Sequence, residues 1–230
     1  MTTEAIRNPA ECDPSPQGQA PIAIWGQRPF ALRQLINALG NLLLAHDVPS
    51  MSRYTAGKIF HQLSRPAAMY GVGGNALPAS GHLAEALSTA IQGGGPIAEL
   101  AKAINAIAPD LRWYRSRTGP FASINFVRGH AHALMVGPGG MEERDDVHIG
   151  ATIMAPYGRF PDHRRKHPTV FLALSRAEVR LHDEDWVVRS PGGVFFGEEG
   201  QEFAMRCTSN PLLLLWCQRV RSGKSGSSRT

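Results

Sequence analysis

Near Pro109 the apolar residues of this 230-residue chain change their spacing. That change limits the fold more than any other feature. Between about residues 28 and 108 they recur every three or four positions, the period of a helix with one face turned to a core. The stretch RPFALRQLINALGNLLLAHD sets Phe30, Leu35, Leu39, Leu42 and Leu43 near one face. Ser50 is a candidate N-cap for a second helix, which carries Tyr54, Phe60 and Leu63 and stops before Pro66. GHLAEALSTAIQGGG aligns Leu83, Leu87 and Ile91 in a third helix ended by glycines. Pro96 suits the first turn of a fourth, through Ile97, Leu100, Ile104 and Ile107.

Beyond Pro109 the runs are short and rich in Val, Ile, Phe and Trp. They are LRWYRS, HALMVGP, HIGATIMAP, TVFLALS, EVRLHDEDWVVRS, GGVFFG, EFAMRCTS and LLLLWCQRV, divided by turns containing Gly, Pro or Asp. Such punctuation predicts an all-β sandwich or barrel. Helices followed by this β half make an α+β chain. The predicted organisation is a disordered leader over 1–27, a helical portion over 28–108, a β-barrel over 109–221 and a disordered tail over 222–230. No internal repeat is present.

With 43% hydrophobic residues the chain can build a core, but no apolar run nears the roughly 18 to 20 residues of a membrane span. The start lacks a charged-then-apolar signal pattern. The net charge of +5 is scattered rather than gathered in a stripe. That argues against nucleic acid and for an anionic small-molecule ligand. The cysteines, Cys12, Cys207 and Cys217, are odd in number and form no CxxC, so no disulfide framework is implied. A reducing cytoplasm is the expected location.

The stretch PDHRRKHPTVF, 161–171, packs two histidines and three cations into five residues between two strand-like runs. Its surroundings are GHAHALMVGPGGMEERDDVHIGATIMAPYGRFPDH, FLALS, SPGGVFFGEEGQEFAMRC and PLLLLWC. Over roughly 30–220 they resemble the cupin-fold dimethylsulfoniopropionate (DMSP) lyase family. The resemblance implies a jelly-roll barrel holding one divalent metal through His-x-His, a Glu further on and a last histidine from a second motif. In the family's reaction the metal takes the substrate carboxylate and a tyrosine removes the neighbouring proton. Dimethyl sulfide then leaves, and acrylate remains. Carried onto this chain, the first histidine falls on His163, the second on Arg165, the Glu on Thr169 and the last histidine on Phe203. The tyrosines fall on Phe160 and Phe171.

Several readings stay open. His163 and His167 are either a relocated metal site, completed by His148 or His182, or His167 is a solvated loop residue. His130 and His132 share one face of a strand and line the barrel or meet solvent. Arg165 is either a clamp for a carboxylate, replacing the metal's charge, or a solvated loop cation like Arg164 and Lys166. Tyr157 is the candidate substitute base. Of Glu202 and Phe203, alternation allows only one to point inward; Glu198, Glu199 and Glu202 otherwise read as solvated turn charge. The Gly-Pro-Gly-Gly at 137–140 is a turn rather than a phosphate loop. The expected cofactor is none, or a weakly bound zinc, iron or manganese ion. The expected assembly is a homodimer. The functions in contention are a carbon–sulfur lyase, a metal-free binder of a carboxylate or apolar ligand, and a structural or regulatory protein.

Overall fold

The computed structural model describes residues 23–24, 27–71, 73–116 and 124–220. The tail 222–230 and most of the leader 1–27 lie outside the described residues.

Four main helices form in the first half: α1 (Phe30–Leu43), α2 (Ser50–Leu63), α3 (Leu83–Gln92) and α4 (Gly95–Ile107). Their apolar spacing is used as expected: α1 buries Leu32, Leu35, Ile36, Leu39 and Leu43, and α4 buries Leu100, Ile104 and Ile107. Phe30 and Tyr54, in contrast, are exposed. Ser50 is the first helical residue rather than the cap; Pro49 precedes it and no side chain caps that end. Single turns of 3-10 helix cover Pro78–His82 and Ala108–Asp110, and a short α5 spans Ile124–Gly129. None of the helices among the described residues is long and apolar enough to cross a membrane.

The strands are β1 (Ala23–Ile24), β2 (Ala68–Tyr70), β3 (Trp113–Tyr114), β4 (His130–Val136), β5 (Glu142–Glu143), β6 (Val147–Met154), β7 (Arg159–Arg164), β8 (Thr169–Ala173), β9 (Ala177–Leu181), β10 (Val187–Arg189), β11 (Val194–Gly197), β12 (Glu202–Arg206) and β13 (Leu212–Arg219). They form two sheets. The larger has the order β1-β2-β5-β4-β6-β13-β8-β11, with β3 on β4; the smaller is β10-β9-β12-β7. Among the described residues no ladder joins the two sheets. The expected barrel is therefore a jelly roll with open seams. β2 also extends the large sheet from within the region expected to be purely helical, and β1 from within the segment expected to be a disordered leader.

The large sheet is covered on both faces, so its central strands are buried at every position. Parity separates the faces. Ile149, Ala151 and Ile153 of β6, with Leu213, Leu215 and Cys217 of β13, join the aliphatic core under the helices. Met154 of β6, with Leu212, Leu214 and Trp216 of β13, joins a second, aromatic-rich core between the sheets, along with Phe160, Phe171, Phe195 and Phe203. Gly150 is where the indole of Trp216 lies down: a Cβ there would sit 2.4 Å from Trp216 Cζ2.

Candidate functional site

The basic stretch opens as a strand, not as a turn. Residues 159–164 form β7, the edge of the small sheet. An edge tolerates Pro161, whose missing N–H is no loss there. The ladder with β12 shifts between Phe203 and Met205: His163 pairs Phe203, whereas Phe160 pairs Met205. The bulge turns Phe160 and His163, three apart, into the same interior. Arg164 points outward and is exposed; its Nη2 donates to Glu202 Oε2 at 3.3 Å. Glu202 is thus the outward member of its pair, and Phe203, 3% exposed, the inward one.

Arg165 follows β7, and its carbonyl accepts from Gly200 N at 2.8 Å. It is 3% exposed. Its guanidinium carbon lies 4.9 Å from the ring centre of Phe171, 5.3 Å from Trp216 and 5.6 Å from Phe203. Nε, Nη1 and Nη2 have no hydrogen-bond partner. Burial draws its pKa down to about 10, so the group stays cationic at neutral pH. The solvated-loop reading therefore applies to Arg164 and not to Arg165.

His163 is 3% exposed. Its Nδ1 lies 2.9 Å from Pro161 O and its Nε2 has no partner. Burial, and next the charge of Arg165, push its pKa down to about 3. The ring stands 4.5 Å from both Phe160 and Phe203, centre to centre. His130 and His132 line this interior as well. His130 Nδ1 meets Phe126 O, and its Nε2 accepts from Ser116 N at 3.1 Å. His132 lies between Thr152 Oγ1 and Ser116 Oγ, each at 2.8 Å. Burial lowers the pKa of His130 to about 4 and that of His132 well below its ordinary value.

At the other end of the interior, Gln218 pairs with His148 and Thr169 across the ladders of β13. Thr169 Oγ1 donates to His167 O and accepts from Gln218 Nε2, both at 2.9 Å. Gln218 Oε1 and both nitrogens of His148 have no partner. Burial lowers His148 to about 4, and the nearby His167 adds to the shift. His182 is exposed, at φ 51° just past β9, and does not join them.

Tyr157, expected at the pocket's edge, is 78% exposed. It occupies the third position of the turn Ala155–Gly158, with φ 59°, after Pro156. That turn geometry swings the phenol away from the interior. It borders a surface cleft of about 400 Å³ with His82 and Arg128. The spacing of the site residues missed Trp216, Gln218 and Phe195 as interior residues. For Trp216 and Gln218 the available signal was their spacing of two along one strand, with the small Gly150 opposite Trp216.

A family model described as DMSP lyase matches residues 51–214. The chain belongs to the DMSP lyase family. Solved structures agree in fold. The DMSP lyase DddQ from Ruegeria pomeroyi DSS-3 aligns at TM-score 0.64 and 17% identity, over 85% of this chain and 94% of that one. A chain from the structures of the DMSP lyases RdDddP and RnDddQII aligns at TM-score 0.57 and 20% identity, over 82% and 92%. No curated protein matches.

The residues that the resemblance carries onto metal-ligand positions, His163, Arg165, Thr169 and Phe203, do not fit a metal. Only His163 presents a free lone pair. Arg165 brings a positive charge, the Thr169 hydroxyl is committed twice, and Phe203 carries no donor atom. Among the described residues no group of three or more His, Cys, Asp or Glu is placed to hold a metal ion.

Proposed function

We propose that this DMSP-lyase-like cupin binds small carboxylates with Arg165 and has not kept the family's metal-assisted elimination. The observation that carries the reading is a buried guanidinium with three unpartnered nitrogens. An unpaired charge in an apolar interior costs several kcal/mol. Cation–π contacts return about 2 kcal/mol when desolvated, and they satisfy none of the N–H donors. A carboxylate accepting two parallel N–H bonds meets both needs. The same geometry disfavours a sulfonium substrate: the aromatic rings already face one cation, and a second would be repelled at low dielectric. A general base is also missing at the two positions that read Phe160 and Phe171.

The test is thermal melting with DMSP and with 4-methylpentanoate, which has the same shape but a neutral carbon for the sulfonium. The neutral acid should protect more strongly. A ligand at a hundred times its dissociation constant adds about 2.7 kcal/mol. For a chain of this length that raises Tm by roughly 5 to 10 °C. Arg165→Leu should abolish the protection, and Arg164→Leu should leave it. Release of dimethyl sulfide and acrylate from DMSP, or equal protection in the wild type and Arg165→Leu, would overturn the proposal.

A further inference from the structure

We infer that the site selects short carboxylic acids that also carry a hydroxyl group, the carboxylate held by Arg165 and the hydroxyl donating to His163 Nε2. This inference rests on the carboxylate reading above and adds the second half of the ligand. The carbonyl of Pro161 can only accept, so the nitrogen 2.9 Å from it, His163 Nδ1, carries the ring hydrogen. In the neutral ring Nε2 then bears a lone pair, and that atom is buried without a donor. His130 and His132, whose ring nitrogens are all engaged, offer no such acceptor.

Arg165 and His163 flank one ring. The imidazole centre lies 4.5 Å and the guanidinium carbon 5.6 Å from the centre of Phe203. The two groups are therefore no more than about 10 Å apart, within reach of a short-chain acid at roughly 1.5 Å per bond. The donor it presents must be neutral: an ammonium would bring a second positive charge beside Arg165. A hydroxyl is the smallest neutral donor. An acid without one leaves His163 Nε2 buried and unpaired. Losing such a partner lowers affinity about ten- to a hundredfold.

Calorimetric titration of the full chain separates the two layers of the argument. The probes are glycolate against acetate and lactate against propionate. The hydroxy acid of each pair should bind at least about tenfold tighter to the wild type. His163→Phe should bring the members of each pair level while acetate and propionate still bind, because Arg165 is untouched. His163→Leu serves in the same way if the phenylalanine variant does not fold, and the wild-type comparison stands without either. Equal affinities in the wild type, or a preference that survives loss of the imidazole, would overturn this inference and leave the carboxylate reading standing. If none of the four acids binds, both fall together.

Discussion

Where the helices meet the edge of the large sheet, Glu142 is fully buried. It receives Arg28 at 2.5 and 2.9 Å, Ala67 N at 3.0 Å and Arg144 at 3.2 Å. Between the two sheets, Arg165 is 3% exposed and none of its guanidinium nitrogens has a hydrogen-bond partner. The covers over the two sites differ in the same sense. The helix side of the large sheet is aliphatic, packed with Leu, Ile and Val. The inner side mixes aromatic rings with the unpartnered atoms of His148, His163, Arg165 and Gln218. One region is finished by the chain itself. The other has hydrogen-bonding capacity left over, as a binding site has before its ligand arrives.

The contrast breaks most sharply at Glu142. Glu142→Ala leaves Arg28 without its carboxylate and should cost about 3–5 kcal/mol by urea denaturation. A loss under about 1 kcal/mol would mean that this edge is no more self-sufficient than the interior. The opposite sign is expected at the other charge. Arg165→Met removes a buried cation whose guanidinium has no hydrogen-bond partner. Denaturation without any carboxylate should show stability unchanged or raised by roughly 1–4 kcal/mol. A large loss would show that the guanidinium is part of the native packing.

A smaller effect, graded with pH, sharpens the comparison further. Burial holds His130 and His148 near 4 and His163 near 3. The unfolded chain takes up these protons near pH 6.5; the folded chain resists until much lower pH. The unfolded state therefore binds more protons in that window, and stability falls as pH drops from about 6.5. Each such histidine contributes a slope of about 1.4 kcal/mol per pH unit. Between pH 6.5 and 5, above the ordinary carboxylate range, His163→Phe should flatten the profile by one proton. An unchanged slope would place that imidazole in contact with water.

The sequence made the helices readable because each has one wet face, so that Leu35, Leu39 and Leu43 stand out from their neighbours. It gave the strands as runs but not their sidedness. Both faces of β6 and β13 are buried, and polarity does not alternate along them. The distinction lies in aliphatic against aromatic partners contributed by distant strands. The assignment of His163, Arg165, Thr169 and Phe203 to ligand positions came from the resemblance alone. The burial of Arg165 was not legible, since Arg164, Arg165 and Lys166 look alike in the chain and only the pairing of β7 with β12 separates them. Nor was the joint inward turn of Phe160 and His163, which depends on a bulge. Tyr157 misled because a residue three positions past a strand end takes its direction from its turn.

The bond from Gly200 N to the carbonyl of Arg165, at 2.8 Å, has a consequence in time as well as in space. It fastens the β7–β8 connection, which carries the barely exposed Arg165, to the β11–β12 connection. Under the proposed carboxylate reading, an anion reaches this charge only after the closed interior around Arg165 opens. Entry and escape then wait on that opening, and the clock of exchange is set by the protein. Complexes that depend on such a rearrangement associate more slowly than the usual 10⁵–10⁷ M⁻¹s⁻¹. The same closure that delays capture also delays release, so residence can be long even where affinity is modest.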